Sequence, residues 1–127
     1  MAAEAVLLTQ FRQKVAGHIA GKETLKPITH MAFGDGGHRT DGTVIPPSEA
    51  QTALKHEILR KPLAVVNQED LLSVTGSGVI EKDELVGKAL SEAALVDADG
   101  DIVAVKNFAP KLKEADERYD VAIRVRV

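Results

Sequence analysis

The chain of 127 residues has no cysteine and no tryptophan, and it has only one tyrosine and three phenylalanines. Without cysteine it forms no disulfide, holds no zinc–thiolate site and offers no thiol nucleophile. With aromatic residues at 3%, it lacks the stacking platforms on which single-stranded nucleic acid binds. The core must therefore be built from Val, Leu, Ile and Ala.

The charge is mixed, with 16 basic and 19 acidic residues, a net charge of −3 and no block of one sign. A polyanion-binding surface needs clustered Lys and Arg, so we expect no nucleic-acid partner. Polar residues from Gln10 to Lys14 interrupt the N-terminal apolar segment, which argues against a signal peptide. No run approaches the roughly 18 apolar residues of a membrane span, so we expect no membrane insertion. Without a signal peptide, we expect synthesis in the cytoplasm. The length predicts a single domain over residues 1–127.

The first third of the chain predicts a helix, a strand and a long loop. Apolar residues recur at every fourth position from Leu7 to Ile19, which predicts a helix over 3–20 whose stripe packs on a sheet. Residues 27–33 read as a strand that opens with a proline. Residues 34–48 are rich in glycine, proline and polar residues and predict an irregular loop, whose length is typical of functional loops.

The remainder is mostly strand-like. The pattern over 85–97 fits a helix or a strand equally well, and Pro110 is expected to end a strand before a charged loop over 110–118. An Asp-Gly pair at 99–100 predicts a hairpin turn, since such turns need positive φ. Strands are predicted at 53–66, 71–80, 102–109 and 119–127, the last with a basic outer face. We therefore expect an α+β fold, in which an N-terminal helix packs on a largely antiparallel sheet of about five to six strands.

Asp97, Asp99 and Asp101 have the spacing of the first ligands of a calcium loop. The sixth position, which must be glycine, is Ile102, and the twelfth, which must be a bidentate glutamate, is Phe108. The calcium interpretation therefore fails, and a hairpin turn explains the segment better.

Other combinations give little reason to expect catalysis. The run Gly34-Asp35-Gly36-Gly37 is neither a P-loop nor a dinucleotide-binding motif, and a turn explains it. Ser48 and Ser73 lack the surroundings of a nucleophile elbow. His30, Asp35 and His38 could meet around the glycine turn and hold a metal ion, which keeps a small metal-dependent hydrolase as an alternative. We otherwise expect no enzyme and no cofactor.

Four segments resemble the phage tail-collar fibre proteins, which form the N-terminal part of tail fibres in contractile-tailed phages and related prophages. Residues 28–37 (ITHMAFGDGG) are similar to the family's "ITHMAxGDGG". Residues 47–60 are similar to its "P-x-x-x-Q-T-x-L-x-x-E-x-x-R", and residues 94–105 to its "G-L-x-D-x-D-G-D-L-I-A-V". The alternating strand Val121 to Val127 is similar to its closing strand. The resemblance spans roughly residues 5–127.

The resemblance implies a structural virion component of the tail without catalytic residues. Two departures refine it: residues 86–90 lack the family's aromatic pair, and the chain matches the attachment domain without a shaft or receptor-binding tip. We therefore expect a fibre base, collar or adaptor at the baseplate end, assembled in the host cytoplasm with other baseplate or fibre proteins. A homo-oligomer is expected, with a trimer as the first guess. A non-virion assembly chaperone for a tail fibre is a second alternative.

The candidate contacts with tail partners come from two segments. The first is the irregular loop, chosen for its length, and the second is the basic face of the last strand, chosen for its paired charge. The residues are Gly34, Asp35, Gly36, His38 and Arg39 in the loop, and Arg124 and Arg126 in the strand.

Overall fold

The computed structural model describes residues 5–127, and residues 3 and 4 of the expected helix lie outside that range. The described chain contains one helix and eight strands. In chain order they are β1 (Val6–Leu7), α1 (Thr9–Ile19), β2 (Ile28–Gly34), β3 (Glu57–Pro62), β4 (Val65–Asp70), β5 (Ser73–Ile80), β6 (Ala89–Asp97), β7 (Ile102–Leu112) and β8 (Tyr119–Arg126).

The expected α+β fold with a packed helix is wrong, because the protein is mostly β, with 48% strand and 9% helix. Its strands form two antiparallel sheets that face each other. The larger sheet has the order β1-β7-β6-β2-β3 and the smaller has the order β4-β5-β8. In the described part of the chain no helix is long and apolar enough to span a bilayer.

The N-terminal helix is shorter than expected and lies at the edge of the fold. Val6 and Leu7 pair with Val105 and Ala104 of β7, so this segment is the edge strand β1 and the helix begins only at Thr9. The prediction that the helix buries its apolar stripe is also wrong: no residue of α1 is buried, and Ile19 is 79% exposed. Sheet pairing has outweighed the helical pattern at this end, since the first N–H groups of a helix lack intrahelical partners, whereas β7 offers Val6 and Leu7 a strand to pair with.

The main core lies between the two sheets. Met31, Phe33 and Leu95 of the larger sheet pack against Ile80 and Ile123 of the smaller one. Two glycines of β5 permit this close approach. A Cβ on Gly76 would lie 2.6 Å from the Cδ2 of Leu95, and a Cβ on Gly78 would lie 2.8 Å from the Sδ of Met31. The two glycines of β5 therefore mark a close approach between the sheets.

The second face of the larger sheet is also covered. Leu8 and Leu54 close a smaller apolar cluster over Ala94, Val96 and Val105. Leu54 belongs to the long connection between β2 and β3, residues 35–56, which we call the cover loop. With both of its faces covered, β6 is buried from Leu90 to Asp97 and shows no alternation, which is why its sequence fitted a helix as well as a strand.

Several local predictions are confirmed and others are displaced. The strand expected at 27–33 is β2, the turn after Asp97 closes a hairpin between β6 and β7, and the last strand is β8. The single strand expected over 53–66 is wrong: residues 53–56 still belong to the cover loop, β3 ends at Pro62, and β4 begins at Val65. Pro110 does not end β7: the strand reaches Leu112, and the ladder shifts register opposite Ser91, where a proline is tolerated.

Candidate functional site

The cover loop is held to the sheet by one buried carboxylate. Glu92 of β6 is fully buried and points to the second face of the larger sheet, beneath both ends of the loop. Its Oε2 accepts hydrogen bonds from the backbone N–H groups of Gly36 (2.9 Å) and His56 (2.8 Å), and its Oε1 accepts one from Lys55 (2.9 Å). Bonds from N–H groups to a charged acceptor are among the stronger ones in proteins. Glu92 therefore joins the start and the end of the loop.

Ser91, the neighbour of Glu92, adds a second anchor, and the loop glycines make room for both. The Ser91 Oγ accepts a bond from the N–H of Gly37 at 2.8 Å and lies 2.7 Å from the Nδ1 of His38. A Cβ on Gly37 would overlap the carbonyl oxygen of Ser91, and a Cβ on Gly34 would overlap the carboxylate of Glu92. The glycine run at 34–37 is thus shaped by contact with β6.

Two further contacts fasten the loop. The Asp35 Oδ1 hydrogen-bonds with the Nδ1 of His56, so the first and last residues of the loop are joined by side chains as well. This bond is reachable by solvent, since the side chain of His56 is 69% exposed. The Nδ2 of Asn107 on β7 donates to the carbonyl of Ile45 at 2.8 Å and so fixes the middle of the loop.

The outer end of the loop is a small ordered hairpin. His38 and Val44 form an isolated antiparallel bridge, which encloses residues 39–43, here called the loop tip. The Arg39 N–H donates to the Thr43 carbonyl at 2.8 Å, and the Arg39 guanidinium donates to the Thr43 hydroxyl and the Val44 carbonyl. Hydrogen bonds from Thr43 lower the pKa of the Asp41 carboxyl. Every residue of the tip is exposed, so these bonds order a surface that remains open to contact.

The ammonium group of Lys14 lies among the three aspartates of the β6–β7 turn. The Nζ of Lys14 on α1 lies 2.8 Å from Asp97, 3.3 Å from Asp99 and 2.7 Å from Asp101. Burial alone would lower the pKa of Lys14, but the hydrogen bonds to Asp101, Asp97 and Asp99 outweigh it and raise that pKa. The aspartates that resembled a calcium loop therefore anchor the helix to the hairpin.

The basic face of β8 lies on the other side of the molecule. The side chains of Ile123 and Val125 enter the core between the sheets, so the alternating Arg124 and Arg126 face outward from the smaller sheet. The cover loop lies on the far face of the larger sheet. Arg124 is half-buried beside Glu69 (3.9 Å) and Asp70 (3.7 Å), and Arg126 is exposed. The two expected contact segments thus form separate surfaces.

The metal-binding alternative finds no support in this geometry. His30 Nδ1 pairs with the hydroxyl of Thr29, Asp35 pairs with His56, and His38 pairs with Ser91. Across residues 5–127, no three or more His, Cys, Asp or Glu side chains are placed to hold an ion. The pair of Ser91 and His38 has nucleophile–base spacing, but Ser91 is fully buried and already binds a backbone N–H.

Sequence reasoning missed the residues that anchor the loop and the helix. Ser91 and Glu92 are two adjacent polar residues within the apolar stretch from Ala89 to Val96. A polar pair inside a buried strand needs hydrogen-bonding partners, and that was a usable signal. Lys14 gave no such signal, because a lysine on a helix surface is ordinarily solvated.

One comparison with known proteins gives a match. The family model described as the N-terminal part of the phage tail-collar fibre protein matches residues 1–125. No curated protein and no solved structure matches the chain.

Proposed function

The chain belongs to the phage tail-collar fibre protein family, and we propose that it acts at the baseplate end of the tail as a fibre base, collar or adaptor. Membership makes it a structural component of the phage tail, located in the virion and associated with other tail proteins. In this role residues 1–127 act as a single attachment domain, in phages or prophages. The protein is a homo-oligomer, a trimer, and it assembles in the host cytoplasm.

The cover loop is the observation that carries this proposal. Its base is fixed by Glu92 and Ser91, and its tip is ordered by its own hydrogen bonds while every tip residue stays exposed. A rigid exposed loop binds a partner at a smaller entropic cost than a flexible one. We assign the partner contact to the tip and especially to Arg39. Asp35 and His38 lie just beneath it, and Gly34 and Gly36 shape its base.

The outward face of β8 is the second proposed contact. Arg124 and Arg126 project from the smaller sheet, opposite the cover loop. An adaptor has to bind one protein on each side, and two separate polar surfaces on opposite faces suit that task. The arginines would meet acidic groups, because complementary charge orients protein partners.

Immunogold electron microscopy of phage particles tests the location. An antibody raised against the recombinant protein should place gold at the baseplate end of the tail. Gold at the tail but away from the baseplate would contradict the proposed position. Unlabelled particles, with the protein detected in the infected lysate, would favour the assembly chaperone instead.

Alanine substitutions test the two contact surfaces. Arg39→Ala at the loop tip, and Arg124→Ala with Arg126→Ala on β8, should each lower the yield of complete tails when the variant is supplied in place of the native protein. Lys22→Ala is the control, because Lys22 is an exposed basic residue after the end of α1, outside both the loop tip and β8. Unfolding curves for each variant separate a lost contact from a lost fold. Normal tail yields from both sets would refute the assignment of the contacts.

A further inference from the structure

One side of the two-sheet fold is closed by main-chain pairing. The segment over residues 5–7 lies between the sheets there: Val6 and Leu7 pair with β7, and the N–H of Ala5 donates to the Arg124 carbonyl of β8 at 3.1 Å. This segment therefore meets the outer edges of both β7 and β8. The opposite side of the fold is formed by β3 and β4, which are the last strands of the larger and the smaller sheet.

The edge of β3 is protected against pairing with a further strand. Pro62 has no N–H to donate. Lys61 lies opposite the core residue Met31 and reaches across to the smaller sheet, where its Nζ donates to the Val79 carbonyl at 2.8 Å. Prolines and inward-pointing charges are devices that keep edge strands from pairing with other chains.

The edge of β4 has neither device. All six of its residues, Val65–Asp70, are exposed, and among residues 5–127 its only neighbour in the sheet is β5. None of the six is a proline or a lysine. The pairing with β5 is regular from Val65 to Gln68 and shifts only before Asp70. Four consecutive residues therefore form a regular exposed edge, which is a template for a further strand.

The hydrogen bonds of the smaller sheet show in which direction each residue of β5 bonds. The N–H of Val127 donates to the Leu72 carbonyl at 2.9 Å, which directs the backbone of Leu72 to β8. Because successive residues of an antiparallel strand bond to opposite sides, even-numbered residues of β5 bond to β8 and odd-numbered residues bond to β4. The Arg124 carbonyl, which bonds to Ala5 on the other side of β8, agrees with this alternation, because Arg124 lies opposite the odd-numbered Thr75.

The same alternation identifies the backbone groups of β4 that have no strand beside them. Val65 and Asn67 lie opposite odd-numbered residues of β5, so their backbone groups bond to β5. The N–H and C=O groups of Val66 and Gln68 therefore point away from β5, and we call them the free edge groups. The side chains of the same two residues line an apolar depression of about 370 Å³ between the sheets, which reaches the core residue Leu95.

We propose that β4 accepts an extended segment of another tail protein, which joins the smaller sheet as a fourth strand. The free edge groups hold this segment through main-chain hydrogen bonds, and its side chains give specificity. Side chains directly opposite each other share one face of a sheet. The partner residue opposite Val66 therefore lies on the inner face, where it covers a valine that is 52% exposed. The partner segment that fits this edge has apolar side chains at alternate positions.

The observations favour another protein over a second copy of this chain. The remaining edges of the chain are occupied or protected, so a second copy has only its own β4 to offer. Pairing of β4 with β4 is a closed two-fold contact, which does not build a trimer. In this step the inference rests on the trimer of the proposed function. Family membership supplies the class of partner, since it associates the chain with other tail proteins.

Amide hydrogen exchange, read at single residues by mass spectrometry, compares the isolated protein with purified phage tails. The amides of Val66 and Gln68 should exchange about tenfold or more slowly in tails, because a paired amide exchanges only when its partner strand detaches. The amides of Val65 and Asn67, which bond to β5 in both states, are the internal reference and should change less. The comparison needs the protein in the tail but not at the baseplate end, so this test and the immunogold test can fail separately.

Substitution of Gln68 tests the same edge by competition. Gln68→Pro removes one outward N–H and places the proline ring on the free edge, and the sheet tolerates it because that N–H does not bond to β5. When variant and native chain are expressed together, the ratio of variant to native should be about tenfold lower in tails than in the lysate, which corresponds to about 1.4 kcal/mol of binding. Gln68→Ala is the matched control, since it keeps the N–H and should enter tails as the native chain does.

Four results would overturn the proposal. The first is equal exchange of the Val66 and Gln68 amides in tails and in the isolated protein, which needs no variant. The second is slow exchange of both amides in concentrated isolated protein, which would assign the edge to a second copy. The third is undiminished entry of Gln68→Pro into tails, and the fourth is equal depletion of Gln68→Ala, which would assign the contact to the side chain. Urea unfolding curves confirm that both variants are folded.

Discussion

Replacement of Glu92 should release the cover loop from the sheet. The native carboxylate accepts three backbone N–H bonds, from Gly36, Lys55 and His56, in a site that excludes solvent from Glu92 itself. Glu92→Ala removes all three acceptors. A bond to a charged acceptor contributes about 1.5–3 kcal/mol, and shared effects make the sum smaller than three independent losses. We expect the free energy of unfolding to fall by about 3–5 kcal/mol, a large fraction of the stability of an ordinary domain.

Glu92→Gln separates the hydrogen bonds from the packing. The glutamine oxygen can replace Oε2 and keep the bonds from Gly36 and His56, but its NH₂ group then faces the N–H of Lys55. Two donors cannot bond, so one interaction is lost and both donors are left without a partner there. The expected loss is about 1–3 kcal/mol, which lies between the native chain and Glu92→Ala. Asparagine is a poorer replacement, because its side chain is one methylene shorter.

Urea unfolding and amide hydrogen exchange measure the two consequences. Urea unfolding gives the change in the free energy of global unfolding. Glu114→Ala is the control, since Glu114 is an exposed glutamate between β7 and β8. Exchange at Gly36, Lys55 and His56 should accelerate more than exchange in β5 and β8, because the loop opens before the sheets do. Uniform acceleration at all amides would show that Glu92 supports the whole fold and not the loop. Unchanged exchange at the three loop amides would refute the anchoring role.

Three further changes test other contacts. Lys14→Met leaves the buried Asp97 without its cation and should lower the free energy of unfolding by about 1–3 kcal/mol, whereas a circular dichroism melt of Lys22→Met should match the native melt. Gly37→Ala forces a Cβ into the Ser91 carbonyl and should lower the free energy of unfolding by about 1–3 kcal/mol. An unchanged midpoint of urea unfolding would disprove the close approach. The hydrogen bond from Lys61 lowers the pKa of Glu84 in the folded state. The pair therefore stabilises the fold at pH values above the unfolded pKa of 4.5, and this contribution is lost as the pH falls through the folded pKa. The stability gap between native protein and Glu84→Gln, followed by urea unfolding against pH, should therefore shrink below pH 4.5, and a gap that widens there would contradict the assignment.

The sequence was informative where a strand has one exposed face or a turn needs a specific residue. The alternation over 121–127 and the Asp-Gly turn gave β8 and the β6–β7 hairpin correctly, because both patterns arise from local geometry. It was uninformative for β6, whose two covered faces remove the alternation. It was also uninformative for β4, whose six exposed residues at a sheet edge carry no apolar pattern.

The sequence located the candidate loop but did not identify the residues that hold it to the sheet. The irregular loop was identified from its composition, and its glycines were identified as a turn. The groups that position the loop, Glu92 and Ser91, are 36 or more positions away along the chain from the amides that they bind. Such pairings depend on which strand lies beneath the loop. Single-sequence patterns describe local periodicity and contain no information on that neighbour.

The position of β1 and α1 has a consequence for the order of events during synthesis. The N–H of Ala5 bonds to Arg124, β1 pairs with β7, and Gln10 donates to the carbonyl of Ile102, which is 92 residues away in sequence. The residues at this edge therefore wait for partners that are synthesised 92 residues later. Closure of this edge is a late, slow step, because distant segments must meet. Until β7 and β8 have emerged, Leu8 and Phe11 remain open to whatever chaperone or neighbouring nascent chain is present.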